Sequence, residues 1–250
     1  MPEMSVGNCT LFYHISPHAD PDDLPVLFIH GAGGSSHLWY NQLGQRISGC
    51  YQLALDLPGH ARSQGTGENS IKAYAQWVVH FIQELGCTQC ILAGHSMGGA
   101  ITQTVALTNP ELLRAMILIG TGARLRVAED VLVRAREGAS FTEYAYAPET
   151  PDFLRQEAEK EFSLTSPEVR YHDFVACDHF DCMQRIFDIK TPALILCGEQ
   201  DQLTPVKYSQ YLHRHLPDSR LEIIPQAGHM VMWEQAEACN RSIRDFLETL

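Results

Sequence analysis

The run Gly94-His95-Ser96-Met97-Gly98 places a serine with a glycine two residues away on each side. An apolar stretch, 91–93, precedes it, and a helical pattern over 100–107 follows. In a G-x-S-x-G arrangement the serine sits on a sharp strand-to-helix turn that exposes its hydroxyl, and the glycines let neighbouring backbone pass close. The helix after Ser96 also aims its N-terminal N–H groups and positive dipole end at the site. Such a serine is suited to attack a carbonyl carbon, provided that a base takes its proton.

Twelve histidines could supply that base. His229, in Gln226-Ala227-Gly228-His229-Met230, follows the last expected strand and precedes the last expected helix. If both strands are parallel, its loop lies at the same sheet edge as Ser96. His95 adjoins the serine, but its side chain is expected to point away from the nucleophile's side of the turn. An imidazole base needs an acceptor on its second nitrogen to fix the tautomer and to stabilise the imidazolium. Gly198-Glu199-Gln200-Asp201 follows the apolar run 193–197, so Asp201 is the expected orienter, ahead of Glu199. The tetrahedral intermediate also needs donors for its oxyanion. His30-Gly31-Ala32-Gly33-Gly34 follows the run 26–29, and the N–H groups of Ala32 and Met97 are the two expected donors. The glycine-rich loop has neither the Lys-Ser/Thr of a P-loop nor G-x-G-x-x-G spacing.

These loops must be carried by a frame. The runs 26–29, 53–55, 91–93, 116–119, 193–197 and 221–224 are continuously apolar, as strands buried on both faces of a parallel sheet are. Residues 3–6 and 10–16 flank Gly7-Asn8 and read as an edge hairpin. Ser70 is placed to cap a helix with Ile71, Tyr74, Ala75, Val78, Phe81, Ile82 and Leu85 on one face. A last helix is expected over 234–250. Strands alternating with helices imply an α/β chain with a mostly parallel sheet covered on both sides. Between about 121 and 188 the rhythm breaks into helical, charged and aromatic sequence. That segment is expected as a helical insertion over the C-terminal edge of the sheet, where α/β proteins bind ligands.

Composition excludes other classes. The 250 residues are 45% hydrophobic and 19% charged, which suits a packed core and not disorder or coiled coil. A formal charge of −12 is a poor match for phosphate backbones, so nucleic acid is not an expected partner. No apolar stretch is long enough to span a membrane, and the first residues carry no signal-peptide pattern, so a cytoplasmic location is expected. The eight cysteines fall mostly in apolar runs and read as buried thiols. Cys87 and Cys90 have redox-motif spacing but do not open a helix after a strand. His172, Cys177, Asp178, His179, Asp181 and Cys182 lack paired ligand spacing and read as an amphipathic helix; no metal is expected.

The blocks His30-Gly31-Ala32-Gly33, Asp56-Leu57-Pro58-Gly59-His60-Ala61-Arg62-Ser63, Gly94-His95-Ser96-Met97-Gly98, Gly198-Glu199-Gln200-Asp201 and Ala227-Gly228-His229 together resemble the α/β-hydrolase superfamily over nearly the whole chain. The general likeness is to small bacterial serine carboxylesterases and 3-oxoadipate enol-lactonases. The resemblance implies a core domain over 1–120 and 189–250, a helical cap over 121–188, and no cofactor. It implies structural roles for Asp56 and His60. Relatives that are haloalkane dehalogenases or epoxide hydrolases carry a carboxylate at the position of Ser96, so those chemistries are not expected. The expected activity is hydrolysis of small to medium carboxylic esters through an acyl-enzyme. An enol-lactone, an acyl-carrier ester or thioester, or a carbon–carbon bond remains open as substrate. Gly31, Gly33, His95, Phe141 and Tyr144 are the expected substrate contacts, and a monomer or homodimer is the expected assembly. Arg124, Arg126, Arg134 and Arg136 either bind a substrate carboxylate or acidic carrier, or form a solvated face balanced by Glu129, Asp130 and Glu137.

Overall fold

The computed structural model describes residues 2–20, 22–139 and 142–250, with Thr142 and Glu143 described through their backbone only. The predicted strands form one eight-stranded sheet in the order β1-β2-β4-β3-β5-β6-β7-β8. β1 (Glu3–Val6) and β2 (Cys9–Ile15) are the antiparallel hairpin, and β2 pairs antiparallel with β4 (Cys50–Leu55). The rest is parallel: β3 (Leu24–Ile29), β5 (Cys90–His95), β6 (Leu113–Ile119), β7 (Ala193–Gly198) and β8 (Ser219–Ile224). In register, Leu27 lies beside Leu53 and Leu92.

The alternation of side chains explains the unbroken apolar runs. Leu27, Ile29, Leu53, Leu92 and Met116 point into one core; Val26, Phe28, Ala54, Ile91 and Ala115 point into the other. The first core is covered by α2 (Ile71–Glu84), α3 (Met97–Thr108) and α8 (Val206–His215). The second is covered by α1 (Tyr40–Leu43), α9 (Val231–Glu234) and α10 (Ala236–Leu247). α2 starts where its sequence sets it, with the Ser70 hydroxyl accepting from the Ala73 N–H at 3.2 Å.

The C-terminal helix departs from expectation. It begins at Ala236 and not at 234, and a separate one-turn helix, α9, precedes it across Gln235, whose φ of −130° and ψ of 52° are not helical. The break has local causes. The Trp233 indole is tied to the Leu38 carbonyl at 2.6 Å, and the Gln235 side chain donates to the Gln226 carbonyl at 3.1 Å. The two pieces therefore follow different neighbours. Between β6 and β7 run α4 (Glu129–Arg136), α5 (Thr142–Ala145), α6 (Asp152–Ser163) and α7 (Pro167–Asp178). Among the described residues this helical insertion contains no strand beyond an isolated bridge between Arg124 and Asp181. No described helix is long and apolar enough to cross a membrane.

Candidate active site

Ser96 sits at the end of β5 with φ 52° and ψ −114°, a left-handed conformation that costs a non-glycine residue of order 1–3 kcal/mol. The turn admits nothing but glycine at two places. A Cβ at Gly94 would fall 2.1 Å from the Gly98 carbonyl oxygen, and one at Gly98 would fall 2.2 Å from that of Ile29. Ser96 N–H donates to the Ile119 carbonyl at 2.9 Å, and the Thr121 hydroxyl donates to the Ser96 carbonyl at 2.8 Å. The strained residue is therefore locked from both sides.

Asp201 follows β7 and is buried. Its Oδ1 accepts the Leu203 and Thr204 N–H groups at 2.9 and 2.8 Å. Its Oδ2 accepts the Thr204 hydroxyl at 2.8 Å and faces His229 Nδ1 at 2.9 Å. Burial pushes the carboxyl pKa up, but the His229 ring and the Thr204 donors outweigh it and hold it below the usual carboxylate value. A carboxylate facing Nδ1 makes that nitrogen the protonated one, which leaves Nε2 of His229 as the free acceptor. Sequence reading does not single out Thr204. The Asp-x-x-Thr spacing after a strand, an aspartate bonding N–H groups two and three residues ahead, is the signal for it.

His229 lies in the loop after β8. Its N–H donates to the Ala145 carbonyl at 2.9 Å, and Glu234 accepts from Gly228 N–H at 2.8 Å and Ala147 N–H at 2.7 Å. The helical insertion thus grips the histidine loop through its backbone. Ser96 and His229 line the same pocket of about 300 Å³. No hydrogen bond joins the serine hydroxyl to His229 among the described residues; such bonds are often long before substrate binds.

His95 lies differently from expectation. Its ring does not swing away from the site but packs on the His229 ring, centroids 4.6 Å apart, and it lines the pocket. Its Nε2–H donates to the His229 carbonyl at 3.0 Å, because the extended end of β5 delivers it under the histidine loop. Burial first, and the neighbouring His229 second, push its pKa down to about 3. It is neutral at physiological pH and adds no second positive charge beside His229 when that ring is protonated.

The loop after β3 passes directly over Ser96. A Cβ at Gly31 would come within 3.1 Å of Ser96 Cβ and 2.9 Å of His95 Nδ1. Gly31, Ala32 and Gly33 all line the pocket. Asp56 braces this region by accepting Ser36 N–H at 2.6 Å and Arg62 N–H at 3.2 Å. Of the remaining expected contacts, Phe141 lies outside the described residues. Tyr144 is exposed and is not part of the pocket; Ala145 and Tyr146 take that wall instead. Tyr146, the first residue beyond α5, is buried and turns inward where the chain leaves the helix.

Arg124 and Arg126 of the arginine cluster are engaged within the insertion. Arg124 Nε is 3.4 Å from Asp181, and Arg126 is 3.8 Å from the Asp178 carboxylate and 2.9 Å from its carbonyl. Asp178 and Asp181 of the run 172–182 thus serve as arginine partners. Among the described residues His37, Glu157 and Glu161 could bring three ligand atoms within 4.8 Å of one another. Glu161 already accepts from the Ser35 hydroxyl at 2.8 Å, and Glu157 from Lys160 at 3.1 Å.

Comparison with known proteins agrees with this architecture. The chain is 28% identical to a pimeloyl-(acyl-carrier protein) methyl ester esterase of Neisseria meningitidis serogroup C, over 89% of this chain and 93% of that protein. It is 27% identical to a 2-hydroxy-6-oxo-6-phenylhexa-2,4-dienoate hydrolase of Comamonas testosteroni, over 99% of both. Among solved structures, a thermophilic esterase superposes with a TM-score of 0.83 at 31% identity, covering 99% of this chain and 97% of that one. The alpha/beta hydrolase family model matches residues 26–242, so the chain belongs to the alpha/beta hydrolase family and is a hydrolase built on that fold.

Proposed function

We propose that the protein is a serine carboxylesterase that cleaves uncharged esters of small to medium apolar acyl chains. The observation that carries this reading is the 2.9 Å contact of His229 Nδ1 with Asp201, on a ring that lines the same pocket as Ser96. Ser96 attacks the ester carbonyl while His229 Nε2 takes its proton. The oxyanion falls between the Ala32 and Met97 N–H groups, at the N-terminus of α3. His229 then protonates the departing alcohol, leaving Ser96 acylated. Water, deprotonated by the same nitrogen, releases the acid and restores the serine. A fluorophosphonate probe tests the nucleophile: labelling of the peptide holding Ser96 is expected, and labelling elsewhere or nowhere defeats the assignment.

The acyl preference follows from the pocket walls. Leu38, Val131, Phe162, Phe174 and Met230 make them largely apolar. The charged groups among the described lining residues are Arg126, paired with Asp178, and Glu161. The Glu161 side chain is only 13% exposed, and an anionic acyl chain would meet it. The two curated relatives act, by their names, on a carrier-linked pimeloyl methyl ester and on a dienoate. Among the described lining residues, neither a carboxylate nor an acidic carrier finds an uncommitted cation. Wild-type enzyme is therefore expected to prefer p-nitrophenyl butyrate over an ester of the same length ending in a carboxylate. Glu161→Gln keeps an acceptor for Ser35 and should raise kcat/KM on the anionic ester about thirtyfold at low salt, the effect of about 2 kcal/mol between two charges roughly 8 Å apart near a protein surface. Its rate on the neutral ester should stay within about twofold. A wild-type enzyme that takes both esters equally well refutes the preference.

A further inference from the structure

A second carboxylate, deeper than Asp201, is not used by this chemistry. Asp173, on α7 of the helical insertion, is fully buried. It accepts three bonds: from Gly33 N–H at 2.7 Å and from His60 Nε2 at 2.7 Å on Oδ2, and from the Tyr74 hydroxyl at 2.6 Å on Oδ1. The charge is balanced by His60. Its two ring nitrogens face acceptors, the Asp173 carboxylate and the Pro58 carbonyl at 3.1 Å, so both carry protons and the ring is an imidazolium. Burial opposes that charge, but Asp173, the Pro58 carbonyl and Asp56 lift the His60 pKa above its ordinary value. The neighbouring His30 is neutral: its Nε2 accepts the Leu57 N–H at 3.1 Å, and burial and His60 push its pKa down.

What this network holds is the loop over the nucleophile. Gly34 N–H returns to the Gly31 carbonyl at 3.1 Å, and Gly33 N–H is committed to Asp173. The amide between Gly31 and Gly33, that of Ala32, remains for a ligand. Gly33 has φ +66°, and its Cα lies against Phe162 and Arg170 of the insertion, so a Cβ there would fall 2.5 Å from the Phe162 ring. The loop is thus pinned to the insertion through both its N–H and its Cα. We propose that Asp173 is a positioning residue. Paired with His60, it reaches from the insertion to fix the Gly33 amide, and so sets the orientation of the adjacent Ala32 N–H toward the oxyanion. Its catalytic consequence rests on the esterase reading above. The fixing of the loop does not.

The experiment has two arms. In the wild-type protein at pH 7, nitrogen NMR should find both His60 ring nitrogens protonated, with a Gly33 amide proton shifted downfield and slow to exchange. A Gly33 amide that exchanges like a surface amide overturns the proposal, and this arm needs no variant and no substrate. In Asp173→Asn, the Gly33 signal should move upfield and His60 should lose a proton. Ester kcat should fall about ten- to hundredfold, less than the loss of a whole oxyanion donor, with KM within about threefold. The affinity for a trifluoromethyl ketone, whose adduct with Ser96 carries the oxyanion, should fall in parallel with kcat/KM. An Asp173→Asn variant with a displaced Gly33 signal but wild-type kcat and ketone affinity overturns the positioning role. If wild-type protein binds no ketone and turns over no ester while its Gly33 amide is held as described, the esterase reading fails and the loop anchor stands.

Discussion

Ser96→Ala is expected to lower kcat/KM toward p-nitrophenyl butyrate by about 10⁴- to 10⁶-fold, the scale on which triad members act as a unit. The variant keeps the backbone of the turn, the N-terminus of α3 and the loop after β3. A small rate above water should therefore survive from binding and oxyanion contacts. Stability should hardly change. The serine hydroxyl makes no hydrogen bond among the described residues, while the bonds that lock the turn run through its N–H and carbonyl. Alanine bears the same left-handed strain as serine, so the change of melting temperature should be within about 2 °C. Steady-state kinetics, a pre-steady-state burst assay and a thermal melt measure all three expectations. A variant that still releases p-nitrophenol in a burst points to a different nucleophile. A variant that has unfolded gives no answer on catalysis, which the melt detects.

The sequence carried the frame because a parallel sheet buried on both faces writes itself as continuous apolar runs. Leu27 and Phe28 sit in different cores, so neither position tolerates a polar residue. The turn at Ser96 was legible for a related reason. Gly94 and Gly98 have no room for a Cβ, and such constraints leave glycine in the sequence. Strand ends were less legible: β4 begins at Cys50 and not at 53, because a buried polar residue, Gln52, interrupts the apolar run ahead of Leu53. Asp173 illustrates what single-segment reading passes over. On α7, Val169, Arg170, Asp173, Ala176 and Cys177 form the buried stripe. A carboxylate in the middle of that stripe is the clue. Its partners, Gly33, His60 and Tyr74, lie 99 to 140 residues away, and local pattern does not connect them. The position of the His95 ring escapes local pattern for the same reason. The turn alone says that its ring leaves the serine, and only the loop from β8 shows what it packs against.

Asp201→Asn is expected to cut kcat about 10³- to 10⁴-fold, as such a change does in a serine-protease triad, while leaving the fold in place. The local bonds dictate why. Oδ1 of Asp201 holds two backbone N–H groups, those of Leu203 and Thr204, which only an oxygen can accept. In the asparagine variant the amide oxygen must therefore take the Oδ1 place, and the NH₂ group falls where Oδ2 was, facing His229 Nδ1. A donor there forces Nδ1 to become the acceptor, and the ring proton moves to Nε2. The imidazole then has no lone pair to offer the serine proton. The Thr204 hydroxyl, 3.2 Å from Nδ1 and now without its carboxylate acceptor, can donate to the same nitrogen and favours the same wrong tautomer. The imidazolium formed during the reaction also loses its counter-charge. Nitrogen NMR of the His229 ring, read beside the ester rate, tests this directly. The expectation is a proton on Nδ1 in the wild type and on Nε2 in the variant. Activity within tenfold of wild type, with Nδ1 still protonated, would show that Asp201 neither orients nor charges the base. Glu199, which follows β7 directly, would then be the next carboxylate to change.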